Sequence, residues 1–297
     1  AGTTPPISYS KGGKQGGVET PEQWLALMDQ LLEPLVVSWS IRGMGFRLGS
    51  EGANSQVISH AIWADNIILF ATTSSMLSTM VAELTHAIHR GQLLWKPTSL
   101  ELLSSHSCAN ACKPVSVKQG RTVLEYKQVD RLHLLGDVFD CSGSTEVSVA
   151  HRLGQAEALY YKHSQSFRAH GAALPRLRAW HDAPATTATH SAATWHLSAG
   201  MLRSLRTWEL EKLRRMFRMR RKPEESQMSY NQSTAFKIHS WFRYAGLHMV
   251  YHRVLRMVFK AAWREKSSVC AFGQNPLQLA REYRDHTWWS IVSIDYT

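Results

Sequence analysis

The spacing of apolar residues changes along this chain and predicts two kinds of structure. In residues 20–36 the apolar side chains form a wide helical stripe, which predicts a buried helix that Pro34 kinks or ends. Two short apolar runs, at 58–63 and 67–70, predict strands joined by a tight turn at Ala64-Asp65-Asn66.

Further along, a four-residue repeat of apolar positions predicts a helix over residues 75–90, and residues 115–138 are rich in strand-forming side chains. Beyond Glu146 the pattern is helical almost to Lys266. The exception is 175–193, where a run rich in Ala, Thr, His and Pro predicts a loop. The expected fold class is therefore α+β, with short antiparallel strands and helices first and a mostly helical region after them.

Charge separates the two regions further. Residues 1–150 carry 11 Lys and Arg against 13 Asp and Glu, whereas residues 151–297 carry 23 against 10. This excess of basic residues in the second part favours a polyanionic partner, RNA and DNA above all. An anionic membrane surface is the alternative, because a basic amphipathic helix can also lie on lipid headgroups.

The sequence says less about the cellular compartment and about bound metal than about the fold class. Four cysteines in 297 residues do not make a disulfide framework, and residues 1–17 contain no apolar run that would serve as a signal peptide. No stretch approaches the roughly 18 apolar residues of a membrane span. We therefore expect a nuclear or cytoplasmic protein that is not secreted and has no membrane span. His106, Cys108 and Cys112 are close together, but their spacing is not typical of a zinc site.

Two stretches carry candidate chemistry in the first half. Lys11-Gly12, Gln15-Gly16 and Thr20-Pro21 precede the first helix, and glycine allows a backbone to approach a ligand closely. An ordinary glycine-rich loop before a helix explains this stretch equally well. The second stretch is Trp63-Ala64-Asp65-Asn66, whose turn presents one carboxylate, although a plain hairpin with a polar turn would look the same.

Two later stretches follow in order: Gly91 to Ser99, which contains Lys96, and Leu134-Leu-Gly-Asp-Val-Phe-Asp140. In order and spacing across residues 11–140, the four stretches resemble the C-terminal part of the reverse transcriptase domain of non-LTR (LINE-type) retrotransposons. In that family the hairpin carries an aromatic residue, Ala and two aspartates. Asn66 stands here in place of the second aspartate.

The resemblance implies a partial polymerase palm in residues 1–140, a helical, basic thumb- or connector-like region in 141–270, and a tail at 271–297. It implies RNA-directed DNA synthesis with Mg²⁺, in which Asp65 is a catalytic metal ligand and Asn66 occupies the neighbouring catalytic position. Nucleotide or template contacts fall on Lys11, Gln15, Gly16 and Lys96. The family's further catalytic aspartate lies upstream of these motifs, so the isolated chain is expected to be inactive.

The basic region can be interpreted without the family. If residues 202–222 form one helix, its apolar side chains fall on one face and an arginine stripe falls on the other. The stripe comprises Arg203, Arg206, Arg214, Arg218 and Arg221. Glu209 and Glu211 alone offset it, and arginine binds phosphate through a bidentate fork. A solvated cationic face, a non-catalytic nucleic-acid-binding remnant and a helical protein-interaction module remain alternatives.

Overall fold

The structure, a computed structural model, describes residues 17–48, 56–105, 115–168 and 172–267. Contacts between residues divide the chain into two units, Ala1–Val129 and Asp130–Thr297. Short strands and helices build the first unit, and helices dominate the second. The expected α+β class is confirmed, while palm and thumb remain finer predictions. The tail predicted at 271–297 lies outside the described residues.

The first helix, α1, spans Thr20–Ile41 and continues through Pro34. The prediction that the helix could end at Pro34 is therefore wrong. Pro34 is exposed, whereas Met28, Leu32 and Trp39 are buried on the opposite side. Burial of that apolar face outweighs the backbone hydrogen bond that proline cannot donate.

The other described elements of the first unit are strand pairs and a second helix, α2 (Ser74–Arg90). The strands are β1 (Phe46–Leu48), β2 (Gln56–Ile58), β3 (His60–Trp63), β4 (Asn66–Leu69), β5 (Glu101–Leu103), β6 (Ser116–Gln119), β7 (Thr122–Glu125) and β8 (Lys127–Val129). Three pairs are antiparallel, β1–β2, β3–β4 and β6–β7. The fourth, β5–β8, is parallel, which the expectation of antiparallel strands did not include.

Helix α2 joins two small cores, and its bounds confirm the helix predicted at 75–90. The Thr73 hydroxyl accepts a hydrogen bond from the Met76 amide at 3.2 Å and so caps the helix start. One face of α2 packs Met80 and Leu84 against α1. An adjacent face packs Val81 against apolar side chains of β5, β6 and β7.

The second unit begins with a hairpin and continues as helices. Its elements are β9 (Arg131–Leu134), β10 (Asp137–Asp140), α3 (Glu146–Lys162), α4 (Ser164–Arg168), α5 (Ala173–Asp182), α6 (Pro184–Ala188), α7 (Ala199–Met216), α8 (Gln227–Tyr244) and α9 (Val250–Ser267). The β9–β10 hairpin turns at Leu135-Gly136 and packs on α3, so contacts group it with the helices that follow. One continuous apolar core connects α3 to α9.

The loop predicted at 175–193 is wrong, because α5 and α6 occupy most of it. Leu177 and Trp180 of α5 are almost wholly buried, and so are Ala185 and Ala188 of α6. The small alanine side chains let the short α6 pack closely on α3. Composition suggested a loop because helices of ten and five residues are too short to produce a clear helical period.

Candidate nucleic-acid interface

The end of α7 and the start of α8 enclose an open cleft of about 660 Å³. Arginine dominates its lining, so we name it the arginine cleft. The lining residues are Glu211, Arg214, Arg215, Arg218, Met219, Arg220, Gln227, Tyr230 and Asn231. Four guanidinium groups thus share one concave surface with one carboxylate, one phenol and two amides.

The chain forms this cleft because α7 ends early. Phe217 follows the last turn and packs edge-on against Trp241, with ring centroids 4.6 Å apart. Arg218 then takes a left-handed backbone conformation with φ of 52°, which turns the chain out of the helix. The Met219 amide donates to the Arg214 carbonyl at 2.9 Å, and the Ser226 hydroxyl caps the start of α8 by accepting from the Ser229 amide at 3.1 Å.

This ending corrects the predicted helix at 202–222. The helix is α7, and its last residue is Met216. Arg218 and Arg221 are therefore not on the helical stripe, whereas Arg203, Arg206 and Arg214 are on the helix. Of the five predicted arginines, only Arg214 and Arg218 line the cleft. The sequence predicted the basic segment but not the turn that makes it concave.

Arg214 is held in place by its neighbours in α8. Its Nε donates to the Thr234 hydroxyl at 2.8 Å and its Nη2 donates to the Asn231 carbonyl at 3.1 Å. Its guanidinium also lies 5.6 Å from the centre of the Tyr230 ring. Tyr230 in turn donates its hydroxyl to the Met219 carbonyl at 2.9 Å. These bonds fix one wall of the cleft, and they use the Nε and Nη2 donors of Arg214 within the protein.

The other arginines of the cleft differ in how far they are neutralised. Arg215 pairs with Glu211 at 2.5 Å and donates to the Tyr161 hydroxyl at 2.9 Å. Arg218 and Arg220 are both exposed. Among the described residues, Arg220 has neither a hydrogen bond nor an ion pair. Glu211 is thus the one acidic residue of the lining and is already paired, so the cleft keeps a positive excess.

The helix α7 carries a second acidic residue that does not offset these arginines. Glu209 is fully buried. Its carboxylate accepts from the Trp180 indole at 3.0 Å and from the Val250 amide, at the start of α9, at 2.7 Å. Burial raises the pKa of Glu209 to about 7, against these two hydrogen bonds and the charge of Arg253. The expectation that Glu209 offsets the arginine stripe is wrong, because an apolar neighbourhood surrounds it.

The candidate catalytic hairpin is present as β3–β4. Ala64 and Asp65 form its two-residue turn, and Asn66 begins β4 opposite Trp63. The predicted strands are confirmed, while the turn is one residue shorter than predicted. Asp65 and Asn66 are both exposed, and the Trp24 indole holds the tip by donating to the Ala64 carbonyl at 2.8 Å.

None of the other residues of the predicted catalytic site takes part in the described contacts of the β3–β4 hairpin tip. Lys96 is exposed in the segment before a 3-10 turn at Pro97–Ser99, where its carbonyl accepts from the Ser99 amide at 3.0 Å. Lys11, Gln15 and Gly16 lie outside the described residues, as do His106, Cys108 and Cys112. Within the described ranges, no three His, Cys, Asp or Glu side chains gather as a metal site would require.

Two findings concern the chain as a whole. None of the described helices is both long enough and apolar enough to cross a membrane. Comparison of the chain with protein-family models, with curated proteins and with solved structures found no match.

Proposed function

We propose that this chain binds nucleic acid and that its binding surface is the arginine cleft. The observation that carries the proposal is the concave grouping of four arginines, of which one is paired with the only carboxylate of the lining. Guanidinium groups bind phosphate oxygens bidentately, and a run of phosphates along a strand matches several arginines at once. Residues 151–297, which contain the cleft, also hold the basic excess of the chain.

The test compares two pairs of arginines that remove equal charge. Arg218→Gln with Arg220→Gln changes the cleft, whereas Arg203→Gln with Arg206→Gln changes exposed positions of α7 outside it. We expect wild-type affinity for a labelled oligonucleotide to fall steeply with salt, because bound phosphates release counterions. The cleft pair should flatten the logarithmic salt slope by roughly 0.7–0.9 for each phosphate that the variant no longer binds.

The control pair decides what the result means. An unchanged slope in the Arg203 and Arg206 variant would assign binding to the cleft rather than to net charge. Equal losses in both variants would reduce the proposal to unspecific attraction. Binding that ignores salt in the wild-type chain would contradict the proposal and favour a helical protein-interaction module instead.

We propose further that the chain derives from a retrotransposon reverse transcriptase. Supporting it are the four stretches that resemble that family and the exposed Asp65 at the tip of a tight hairpin. The tip supplies one carboxylate and one neutral amide oxygen, whereas Mg²⁺ prefers charged oxygens. The described residues therefore fit a weak Mg²⁺ site at most, with Asp65 as its ligand, and synthesis by the chain alone is not expected.

A chimera tests the catalytic part of this proposal. The upstream palm segment of an active relative would be fused to the chain, and primer extension measured against Mg²⁺ concentration. Asp65→Asn should abolish synthesis, because the hairpin would lose its carboxylate. Asn66→Asp should raise synthesis and lower the Mg²⁺ requirement, because it adds a charged ligand. Full activity in the Asp65→Asn chimera would remove the hairpin from the catalytic site.

A further inference from the structure

Two aromatic side chains of α8 are strongly exposed. Phe236 is 76% exposed and Tyr244 is 87% exposed. Within the described part of the chain, neither side chain has a ring contact, a cation contact or a hydrogen bond. Two half-buried rings of the helix differ, since Tyr230 faces Arg214 and Trp241 lies 5.2 Å from the Lys237 ammonium.

The two free rings share one side of the helix with serines and basic residues. Ser240 lies four residues from both, which places all three on one face. Phe236 and Tyr244 are about 12 Å apart along the axis at 1.5 Å per residue, so each can contact a different base. Lys237 and Arg243 flank them, and α8 contains no Asp or Glu over its whole length.

The same helix also lines the arginine cleft. The first turns of α8 contribute Gln227, Tyr230 and Asn231 to the cleft lining. At 100° per residue, Tyr244 lies about 40° and Phe236 about 120° from Tyr230 around the helix axis, in the same direction. One helix thus carries phosphate-binding groups at its start and unoccupied aromatic side chains further along, on a side that a strand reaches by turning around the helix.

We infer that the exposed face of α8 stacks the unpaired bases of single-stranded nucleic acid whose phosphates bind in the arginine cleft. The inference rests on the proposed nucleic-acid binding and names its substrate class. Aromatic side chains bind single strands by stacking because every unpaired base presents a π face. A duplex keeps its bases stacked on one another, so it can use the arginines but not the rings of Phe236 and Tyr244.

The experiment measures binding of the full chain by fluorescence anisotropy at one fixed, low salt concentration. Three labelled probes of equal length separate the contributions: an oligothymidylate strand, its duplex with oligoadenylate, and an abasic strand with the same phosphates and no bases. The variants are Phe236→Ala with Tyr244→Ala, and Phe236→Tyr with Tyr244→Phe, which keeps both rings. Met228→Ala is the matched control, because Met228 is a 70% exposed, non-aromatic residue of the same helix.

We expect the double alanine variant to bind the thymidylate strand at least about tenfold more weakly than wild type, since two stacked bases together contribute that much or more. Its affinity for the duplex should stay within about twofold of the wild-type value, because the bases of a duplex are stacked on one another and cannot stack on the rings. The ring-keeping variant and Met228→Ala should bind all probes like wild type. The wild-type chain should bind the abasic strand about as weakly as the double alanine variant binds thymidylate.

Other results distinguish a failure of the stacking inference from a failure of the proposed nucleic-acid binding. If wild type binds abasic and thymidylate strands equally, or the double alanine variant keeps its single-strand affinity, the stacking inference falls while the arginine cleft stands. If the wild-type chain binds none of the three probes, the proposed function itself falls. If the alanine changes leave nucleic-acid affinity unaltered but abolish self-association in sedimentation, the face contacts a second copy, which overturns the inference.

Discussion

The two units bury their apolar side chains in different ways. The second unit gathers 24 buried residues in one core, whereas the first divides its interior into clusters of 7 and 6 among the described residues. Helices can pack on several neighbours at once, while an isolated strand pair buries one face against a neighbouring element. A single large core leaves the outer sides of α7 and α8 free to carry charge, and these helices form the arginine cleft.

Each unit also buries a tryptophan that donates to a carboxylate, and the two pairs differ electrostatically. Trp39 donates to Glu83 at 2.7 Å, and Glu83 also pairs with Arg42 at the surface. The hydrogen bond from Arg42 lowers the pKa of Glu83. Trp180 donates to Glu209, whose pKa is raised by burial. The same tryptophan–glutamate bond therefore has opposite pH consequences in the two units.

The largest effect should follow from Trp180→Ala. Its ring is fully buried against Tyr160 and Trp208 and satisfies Glu209. Removing it should cost about 3–5 kcal/mol of unfolding free energy, because it leaves a cavity and an unpaired buried carboxylate oxygen. Urea unfolding monitored by far-UV circular dichroism measures this loss in the helical unit.

Two further variants test whether the units behave separately. Leu25→Ala removes a 57% exposed side chain of α1 and should change stability by less than about 0.5 kcal/mol. Trp39→Ala should destabilise the first unit in the same manner as Trp180→Ala destabilises the second. If each tryptophan variant lowers both transitions equally, the units unfold as one and the contrast between their cores carries no energetic meaning.

A smaller effect should appear in the pH dependence of the second unit. Because the pKa of Glu209 is raised to about 7 in the folded protein, the folded state keeps a proton that the unfolded state releases near pH 4.5. This contribution to stability is fully present below pH 4.5 and is lost as pH rises through 7. The expected loss is about 3 kcal/mol, since a tenfold change in proton affinity corresponds to about 1.36 kcal/mol.

Glu209→Gln should remove that slope. The amide cannot ionise, although one of the two donors, Trp180 or Val250, loses its acceptor at a cost of about 1 kcal/mol at low pH. The two stability curves should therefore cross as pH rises: the wild type is more stable in acid, and the variant is more stable above pH 7, because the wild type loses more stability than the substitution costs. Glu83→Gln is the contrasting control, since the lowered pKa of Glu83 gives stability that is present above pH 4.5 and lost in acid. Parallel pH curves for wild type and Glu209→Gln would contradict the assignment.

Sequence patterns predicted the elements that local spacing of residues determines and missed the features that tertiary packing determines. The helix at α2 and the β3–β4 hairpin were predictable, because a regular apolar spacing and a two-residue turn are local properties. The end of α7 was not, since it depends on Phe217 packing against Trp241. Gly246, with φ of 64°, follows the end of α8 and could have divided the helical pattern that runs almost to Lys266 into α8 and α9.

The candidate site was predictable in its charge and not in its shape. The basic run around Arg218 and Arg220 is visible in sequence, but its folding onto Tyr230 and Asn231 of another helix is not. Glu209 shows the converse, because its position among arginines suggested a surface charge. Only the packing of Trp180 reveals that this carboxylate is buried.

Another small effect concerns the two hairpins, which place a side chain where glycine is favoured. Ala64 in the first unit and Leu135 in the second both have φ of 53°. A non-glycine residue in this conformation costs roughly 1–2 kcal/mol, and the extra freedom of glycine in the unfolded chain offsets part of that. We expect Ala64→Gly to stabilise the first unit by up to about 1 kcal/mol, since the carbonyl that accepts from Trp24 remains.

Leu135→Gly should stabilise the second unit less than Ala64→Gly stabilises the first, because removing the half-exposed leucine also removes some apolar packing. Gly136→Ala should instead destabilise the same turn. The φ of Gly136 is 77°, and an added Cβ would lie 3.0 Å from the Arg152 guanidinium. Thermal melting of the three variants measures all of these differences. Stabilisation by Ala64→Gly together with destabilisation by Gly136→Ala would support both turns, and with them the position of Asp65 at the tip of its hairpin. If Ala64→Gly destabilises the first unit, the turn has another conformation, and Asp65 loses the placement on which its proposed catalytic role depends.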